Sequence, residues 1–257
     1  RGGTGLISSG VPKPLLVPWA AKVAGKWALD NYDVIPTMGD ELALKTMQNA
    51  WQKQRDDAGV QGTAVHHYAE AFMRHGEVDV EPHLAGFVQG FIEFLEKWQI
   101  TPVLMERKVA NRTDHYSGTF DLFATSPLLL TLEQIADGWV VQIDLKTSKS
   151  VYGETALQTA AYAKAEFYVD DDGYERPLPK VYKTFVAHVT PLDREGDNER
   201  YEGKPLGTSL YPLAESPEQI DEHYEWFKHA MATAKASAAR DKLARVPLEL
   251  PEEQEAF

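Results

Sequence analysis

The chain has 257 residues, 26 basic against 39 acidic side chains (net charge −13), 43% apolar and 11% aromatic content, and no cysteine. Zero cysteine excludes a disulfide scaffold, a thiolate zinc site, an iron–sulfur cluster and a cysteine nucleophile. The acidic balance argues against a protein that coats nucleic acid along its whole surface, though not against an enzyme with a local basic groove.

No apolar run approaches the roughly 20 residues that span a bilayer, and Arg1-Gly2-Gly3-Thr4-Gly5 shows no signal peptide. The expectation is a soluble globular protein with an intracellular address. No repeat or linker divides the chain, so residues 1–257 read as one domain. A helical part covers 1–60, a core 62–190, and a loop with a last helix 191–257.

In chain order, residues 14–30 carry Leu15, Leu16, Trp19, Val23 and Trp27 at helical spacing. Residues 40–55 repeat the pattern with Leu42, Leu44, Met47 and Trp51. A third helix is expected to open after Gly62, with Val65, Tyr68, Ala69, Phe72 and Met73 as its apolar stripe. Leu84, Phe87, Val88, Phe91, Ile92, Leu95 and Trp98 make a fourth. The helical spacing of Trp19, Trp27 and Trp51 favours core packing over stacking on unpaired bases.

The period then changes. Residues 103–110, 116–124 and 139–147 read as strands, the first two joined by a turn at 111–114. A helix is expected over 154–168, a polar loop at 170–173, a strand over 180–190 and an exposed loop over 191–210. Ser216-Pro217-Glu218-Gln219 opens the last helix with a capping serine, a first-turn proline and a capping-box glutamine. This order implies a mixed α/β core with helices on its faces.

The chemistry concentrates in Gly118-Thr119-Phe120-Asp121 and Asp144-Leu145-Lys146-Thr147-Ser148. Side chains two apart on a strand share a face. Asp144 and Lys146 therefore point one way, and Val141, Ile143 and Leu145 point into the opposite apolar layer. Should the two acidic strands pair, Asp121, Asp144 and Lys146 converge. Close carboxylates repel unless a cation sits between them. Oxygen-rich sites of this kind suit Mg²⁺ or Mn²⁺ bound together with substrate phosphate. Metal-assisted phosphodiester hydrolysis is then the natural reaction. By spacing alone, a solvated ion pair plus a turn carboxylate explains the same residues.

Gln158 and Tyr162 stand four apart on one face of the following helix. His66 and Glu70 do the same on an earlier one, and Glu106 sits mid-strand. Singly, each is accounted for by an ordinary surface or core role. Together, Gly62-Thr63-Ala64-Val65-His66 with Glu70, Glu106, Gly118-x-x-Asp121, Asp144-x-Lys146 and Gln158-x-x-x-Tyr162 resemble the RecB-type branch of the PD-(D/E)XK nucleases. That branch includes phage-type exonucleases and CRISPR-adaptation nucleases. The resemblance covers about residues 62–165.

It implies a restriction-endonuclease-like core, a mixed sheet flanked by helices, here with an N-terminal helical extension. It also implies Asp121 and Asp144 as metal ligands, helped by the Leu145 carbonyl, with His66 as the additional ligand of the exonuclease branch. Lys146 would act on the attacking water, Gln158 and Tyr162 would position the DNA strand or the metal-site shell, and Glu106 would be a helper acid. The cofactor would be one or two Mg²⁺ or Mn²⁺ ions, without the iron–sulfur cluster that many relatives carry.

The implied setting is DNA recombination, repair or replication in a bacterial cytoplasm or a bacterial virus. DNA is the substrate, and a recombination or single-strand-binding protein is the expected partner, with no membrane involved. Two departures stand out. Residues 125–138 insert a longer segment than expected between the acidic strands, and His67 adjoins His66. The helical register favours His66. Arg107, Lys108, Arg112, Lys149, Lys164, Lys180 and Lys183 are candidate phosphate contacts. A structure-selective endonuclease and a non-catalytic DNA-binding module are the alternatives to an exonuclease.

Overall fold

The computed structural model describes residues 2–192, 201–245 and 247. Its elements run α1 (Gly3–Gly10), α2 (Leu16–Asp30), α3 (Ile35–Met38), α4 (Asp40–His75), α5 (Ala85–Lys97), β1 (Thr101–Asn111), β2 (Tyr116–Thr125) and α6 (Leu132–Ala136). They continue with β3 (Trp139–Lys146), α7 (Thr155–Ala163), β4 (Phe167–Val169), β5 (Glu175–Arg176), β6 (Lys180–Val189), β7 (Thr208–Ala214) and α8 (Pro217–Leu243).

The seven strands form one sheet in the order β5-β4-β1-β2-β3-β6-β7. All neighbours are antiparallel except β3 and β6, which run parallel with α7 in the crossover between them. Apolar residues leave the sheet on both faces. On one, Val141, Ile143 and Leu145 meet Val65 and Ala69 of α4 and Phe87, Phe91 and Phe94 of α5. On the other, Phe120, Phe123 and Val140 meet Leu6 and Ile7 of α1, Ala160 and Ala161 of α7, and Phe227 and Met231 of α8. Each fully buried Phe contributes about 1.5–3 kcal/mol. The two layers make the mixed α/β sandwich that the element order implied.

The helices expected over 40–55 and after Gly62 are one 36-residue helix. Interior glycines such as Gly59 and Gly62 cost about 1 kcal/mol each relative to Ala, but they do not stop a helix as proline does. Gly62 is also needed where it is. A Cβ there would lie 2.9 Å from the Thr147 hydroxyl, so its absence lets α4 approach the end of β3. The helix expected over 154–168 stops at Ala163. Phe167 and Tyr168 instead pair with Ala110 and Val109, covering the edge that β1 would otherwise expose.

The expected loop over 191–210 lies partly outside the described residues, but Tyr201 is buried and residues from Thr208 onward belong to β7. The far end of the 191–257 segment also lies outside them. Residues 3–10, unassigned in the sequence, form α1. The insertion between β2 and β3 folds as α6 behind a Thr131/Gln134 capping box. It leaves the pairing Leu122↔Ile143 and Ala124↔Val141 undisturbed. The last helix starts as expected, with the Gln219 amide donating to Ser216 Oγ at 3.4 Å. The Gln219 side chain reaches one residue further back, accepting from the Glu215 amide at 2.8 Å.

The N-terminal extension packs differently. No residue of α2 is buried, and the Trp19 and Trp51 rings meet edge-on at 6.2 Å within the α2–α4 hairpin. The expected core role of these tryptophans is thus a local one, half-buried inside a two-helix arm. Among the described residues no helix is long and apolar enough to cross a membrane.

Candidate metal centre and active site

The site forms where β2 and β3 part. Their ladder ends at Leu122↔Ile143, and the Asp121 carboxylate takes the next donor along, accepting from the Leu145 amide at 2.7 Å. Across β2, Met105 pairs with Leu122 and Arg107 with Phe120, so Glu106 stands opposite Asp121. Like charges in that position oppose folding. Glu106 also has φ 48°, left-handed backbone that a non-glycine residue rarely adopts. Conformations of this kind cost of order 1–3 kcal/mol and cluster at functional sites.

Helix α4 supplies the third group. His66 Nε2 donates to the Leu145 carbonyl at 3.0 Å. A carbonyl only accepts, so Nε2 carries the hydrogen, and a neutral His66 presents the Nδ1 lone pair to its other neighbours. These are Glu106 Oε1 at 3.8 Å and Asp121 Oδ1 at 3.7 Å. One ligand atom from each of His66, Glu106 and Asp121 lies within 4.8 Å of the others. His67 is exposed and turns its ring toward Tyr68.

The opposite side of the site is built from β3 and α7. Asp144, 2% exposed, is ion-paired with Lys146. Gln158 Nε2 donates to Asp144 Oδ1 at 3.4 Å and to the Tyr162 hydroxyl at 3.3 Å. Tyr162 in turn lies 3.4 Å from the Thr4 hydroxyl of α1. Gly118 makes room for this tyrosine, since a Cβ there would stand 2.3 Å from its ring.

Burial dominates the electrostatics. It pushes the Asp144 carboxyl up to about 6, helped by the negative Asp121 and opposed by Lys146. Burial raises Asp121 as well, with Glu106 adding to it and His66 and Lys146 opposing. For His66, burial works downward, but the nearby Glu106 and Asp121 carboxylates outweigh it and raise the imidazole. Lys146 behaves likewise. Burial lowers it, and the Asp144 and Asp121 charges more than compensate. Tyr162 is raised by burial first and by Asp144 second.

The eight residues given site roles from the sequence (His66, Glu106, Asp121, Asp144, Leu145, Lys146, Gln158 and Tyr162) meet in this one region, whereas Glu70 pairs with Arg74. Their grouping differs in detail from the expectation. Glu106, expected as a helper, belongs to the three-donor cluster, whereas Asp144 faces Lys146 and Gln158. The Leu145 carbonyl, expected as a ligand, accepts from His66. Several expected phosphate contacts are engaged in surface ion pairs, with Arg107 paired to Asp171, Arg112 to Glu175 and Lys164 to Asp221.

Thr4 and Tyr201 carried no signal in the sequence. His188, buried on β6 with Nε2 2.6 Å from the Ser148 carbonyl, could have been flagged as an imidazole within an apolar strand. Neither the protein-family models nor the curated proteins contain a match to this chain.

Proposed function

We propose that the chain is a divalent-metal-dependent DNA exonuclease with a restriction-endonuclease-like core, of the RecB-type branch of the PD-(D/E)XK nucleases. The observation that carries this reading is the convergence of His66, Glu106 and Asp121 beside an Asp144–Lys146 pair, at the fork of two central strands. The donors suit a divalent ion. Ligand atoms about 2.1 Å from one Mg²⁺ stand no more than about 4 Å apart, and the 3.7 and 3.8 Å separations around His66 Nδ1 fall inside that limit. Two carboxylates favour Mg²⁺ or Mn²⁺, and the imidazole shifts the balance toward Mn²⁺.

A bound ion would supply Lewis-acid polarisation of the scissile phosphate and a more acidic water. His66, Glu106 and Asp121 would hold it, with the Leu145 carbonyl fixing the tautomer of His66. Lys146 keeps its proton beside Asp144, so its ammonium can orient the water and face the charge that develops on phosphorus. Gln158 holds Asp144 in place and, with Tyr162, lines the side on which a strand would lie. Attack in line would form a bond from water oxygen to phosphorus and break the bond to the 3′ oxygen, the water losing a proton to solvent and the leaving 3′ oxygen gaining one. The products are a 5′-phosphate and a 3′-hydroxyl.

End-labelled linear DNA incubated beside a closed circle, with Mn²⁺, Mg²⁺ or EDTA, tests the reading. Metal-dependent loss of the linear form alone is the expected result. Cutting of the circle would indicate the structure-selective endonuclease instead. Binding without hydrolysis in any lane would indicate a DNA-binding module on the same fold.

A further inference from the structure

The backbone that leaves β3 is gripped from two directions. Three carbonyls around Lys146 each accept from a side chain distant in sequence. Leu145 is held by His66 on the donor side, at 3.0 Å. Behind it, the Tyr201 hydroxyl donates to the Thr147 carbonyl at 2.6 Å, and His188 Nε2 donates to the Ser148 carbonyl at 2.6 Å. Tyr201 and His188 are 2% and 1% exposed, and their rings lie 6.5 Å apart. The Tyr201 ring also stands edge-on to Phe87 of α5 at 5.7 Å. His188 is the parallel-strand partner of Lys146 itself.

Past Lys146 the strand has no further ladder to fix it, because the β3–β6 register ends at Lys146↔His188. The two buried donors take over where the ladder stops. A lysine side chain has four freely rotating bonds, so the place of its ammonium depends on how firmly its main chain is set. A misplacement of about 1 Å can lower a rate roughly a hundredfold.

We propose that Tyr201 and His188 are positioning residues for Lys146, holding its main chain in register with Asp121 and His66. The inference rests on the nuclease reading above. Neither residue touches the donor cluster, so their loss moves the rate and leaves binding alone. The His188 imidazole must carry its hydrogen on Nε2 to donate to a carbonyl. A glutamine amide places a donor at that same position, and a leucine does not.

The test is steady-state cleavage of linear DNA with Mn²⁺, well below the melting midpoint, for wild type, Tyr201→Phe, His188→Leu and His188→Gln. Mn²⁺ affinity is measured in parallel by electron paramagnetic resonance. Tyr201→Phe and His188→Leu are expected to lower kcat about tenfold to a hundredfold, with KM and Mn²⁺ affinity within about twofold. His188→Gln is expected to recover kcat to within about threefold of wild type, the rescue that a purely packing role does not give. The proposal is overturned if Tyr201→Phe keeps its kcat, or if His188→Gln is as slow as His188→Leu. It is also overturned if KM and Mn²⁺ affinity deteriorate along with kcat. A wild type that cuts nothing refutes the nuclease reading itself, a pattern distinct from a wild type and variants that all cut alike.

Discussion

The two sides of the site share one strand pair but meet their charges in different ways. On the donor side, Glu106 and Asp121 stand opposite each other with an imidazole lone pair between them. On the lysine side, Asp144 is matched by an ammonium on its own strand and by the Gln158 amide. The donor side therefore gains from an added cation, while the lysine side already carries one. Two carboxylates on adjacent strands, both raised by burial, thus sit in different surroundings.

Substitutions should separate the two sides, and the largest effects sharpen the division most. Asp121→Ala is expected to abolish both Mn²⁺ binding and cleavage while the metal-free protein stays folded, relief of a carboxylate held against burial offsetting the lost bond to the Leu145 amide. Lys146→Ala should lower kcat by about a thousandfold with Mn²⁺ affinity kept within about threefold. Calorimetric Mn²⁺ titration beside single-turnover cleavage reads both quantities. Equal loss of Mn²⁺ affinity in the two variants would erase the distinction between the sides.

Next in size, Glu106→Gln and His66→Ala should each weaken Mn²⁺ binding by about 10- to 100-fold. An unchanged affinity in Glu106→Gln would move the ion toward Asp144 and away from the observed three-donor cluster.

The pH response offers a third contrast. An Asp in an unfolded chain titrates near 3.9, and Asp144 in the folded protein is pushed up to about 6. Its contribution to stability is therefore fully present below pH 4 and lost as pH rises through 6. Metal-free wild type should lose stability relative to Asp144→Asn over that window, in denaturant melts at successive pH values. His66, raised from its ordinary value by the nearby carboxylates, acts in the same direction, and its deprotonation should strengthen Mn²⁺ binding. A flat difference between wild type and Asp144→Asn would place Asp144 in a solvated, unperturbed setting.

The smallest effects belong to the supports. Gly118→Ala drives a methyl into Tyr162 and should cost about 1–3 kcal/mol, read as a lower melting midpoint. Ser216→Ala removes a cap far from both sides and should cost about 1 kcal/mol with cleavage unaltered.

Much of this was legible in the sequence because it depends on period. Alternation along residues 139–147 put Val141, Ile143 and Leu145 in one layer and Asp144 in the other, and helical spacing put Gln158 beside Tyr162. What escaped has no periodic signature. The close approach of Gly62 to Thr147 joins residues far apart in the chain, and the pairing of Phe167 and Tyr168 depends on an edge of β1 that needed covering. The membership of Glu106 in the donor cluster follows from cross-strand register. Thr4 and Tyr201 lie far along the chain from the Tyr162 hydroxyl and the Thr147 carbonyl that they meet.

On the proposed function, one side of the site holds the ion and the other uses it. Mn²⁺ binding and DNA cleavage measured on the same preparation of Lys146→Ala test it most directly. The expected result is Mn²⁺ held within about threefold of wild type and cleavage slowed about a thousandfold. Cleavage at the wild-type rate, or Mn²⁺ binding lost with the lysine, would contradict it.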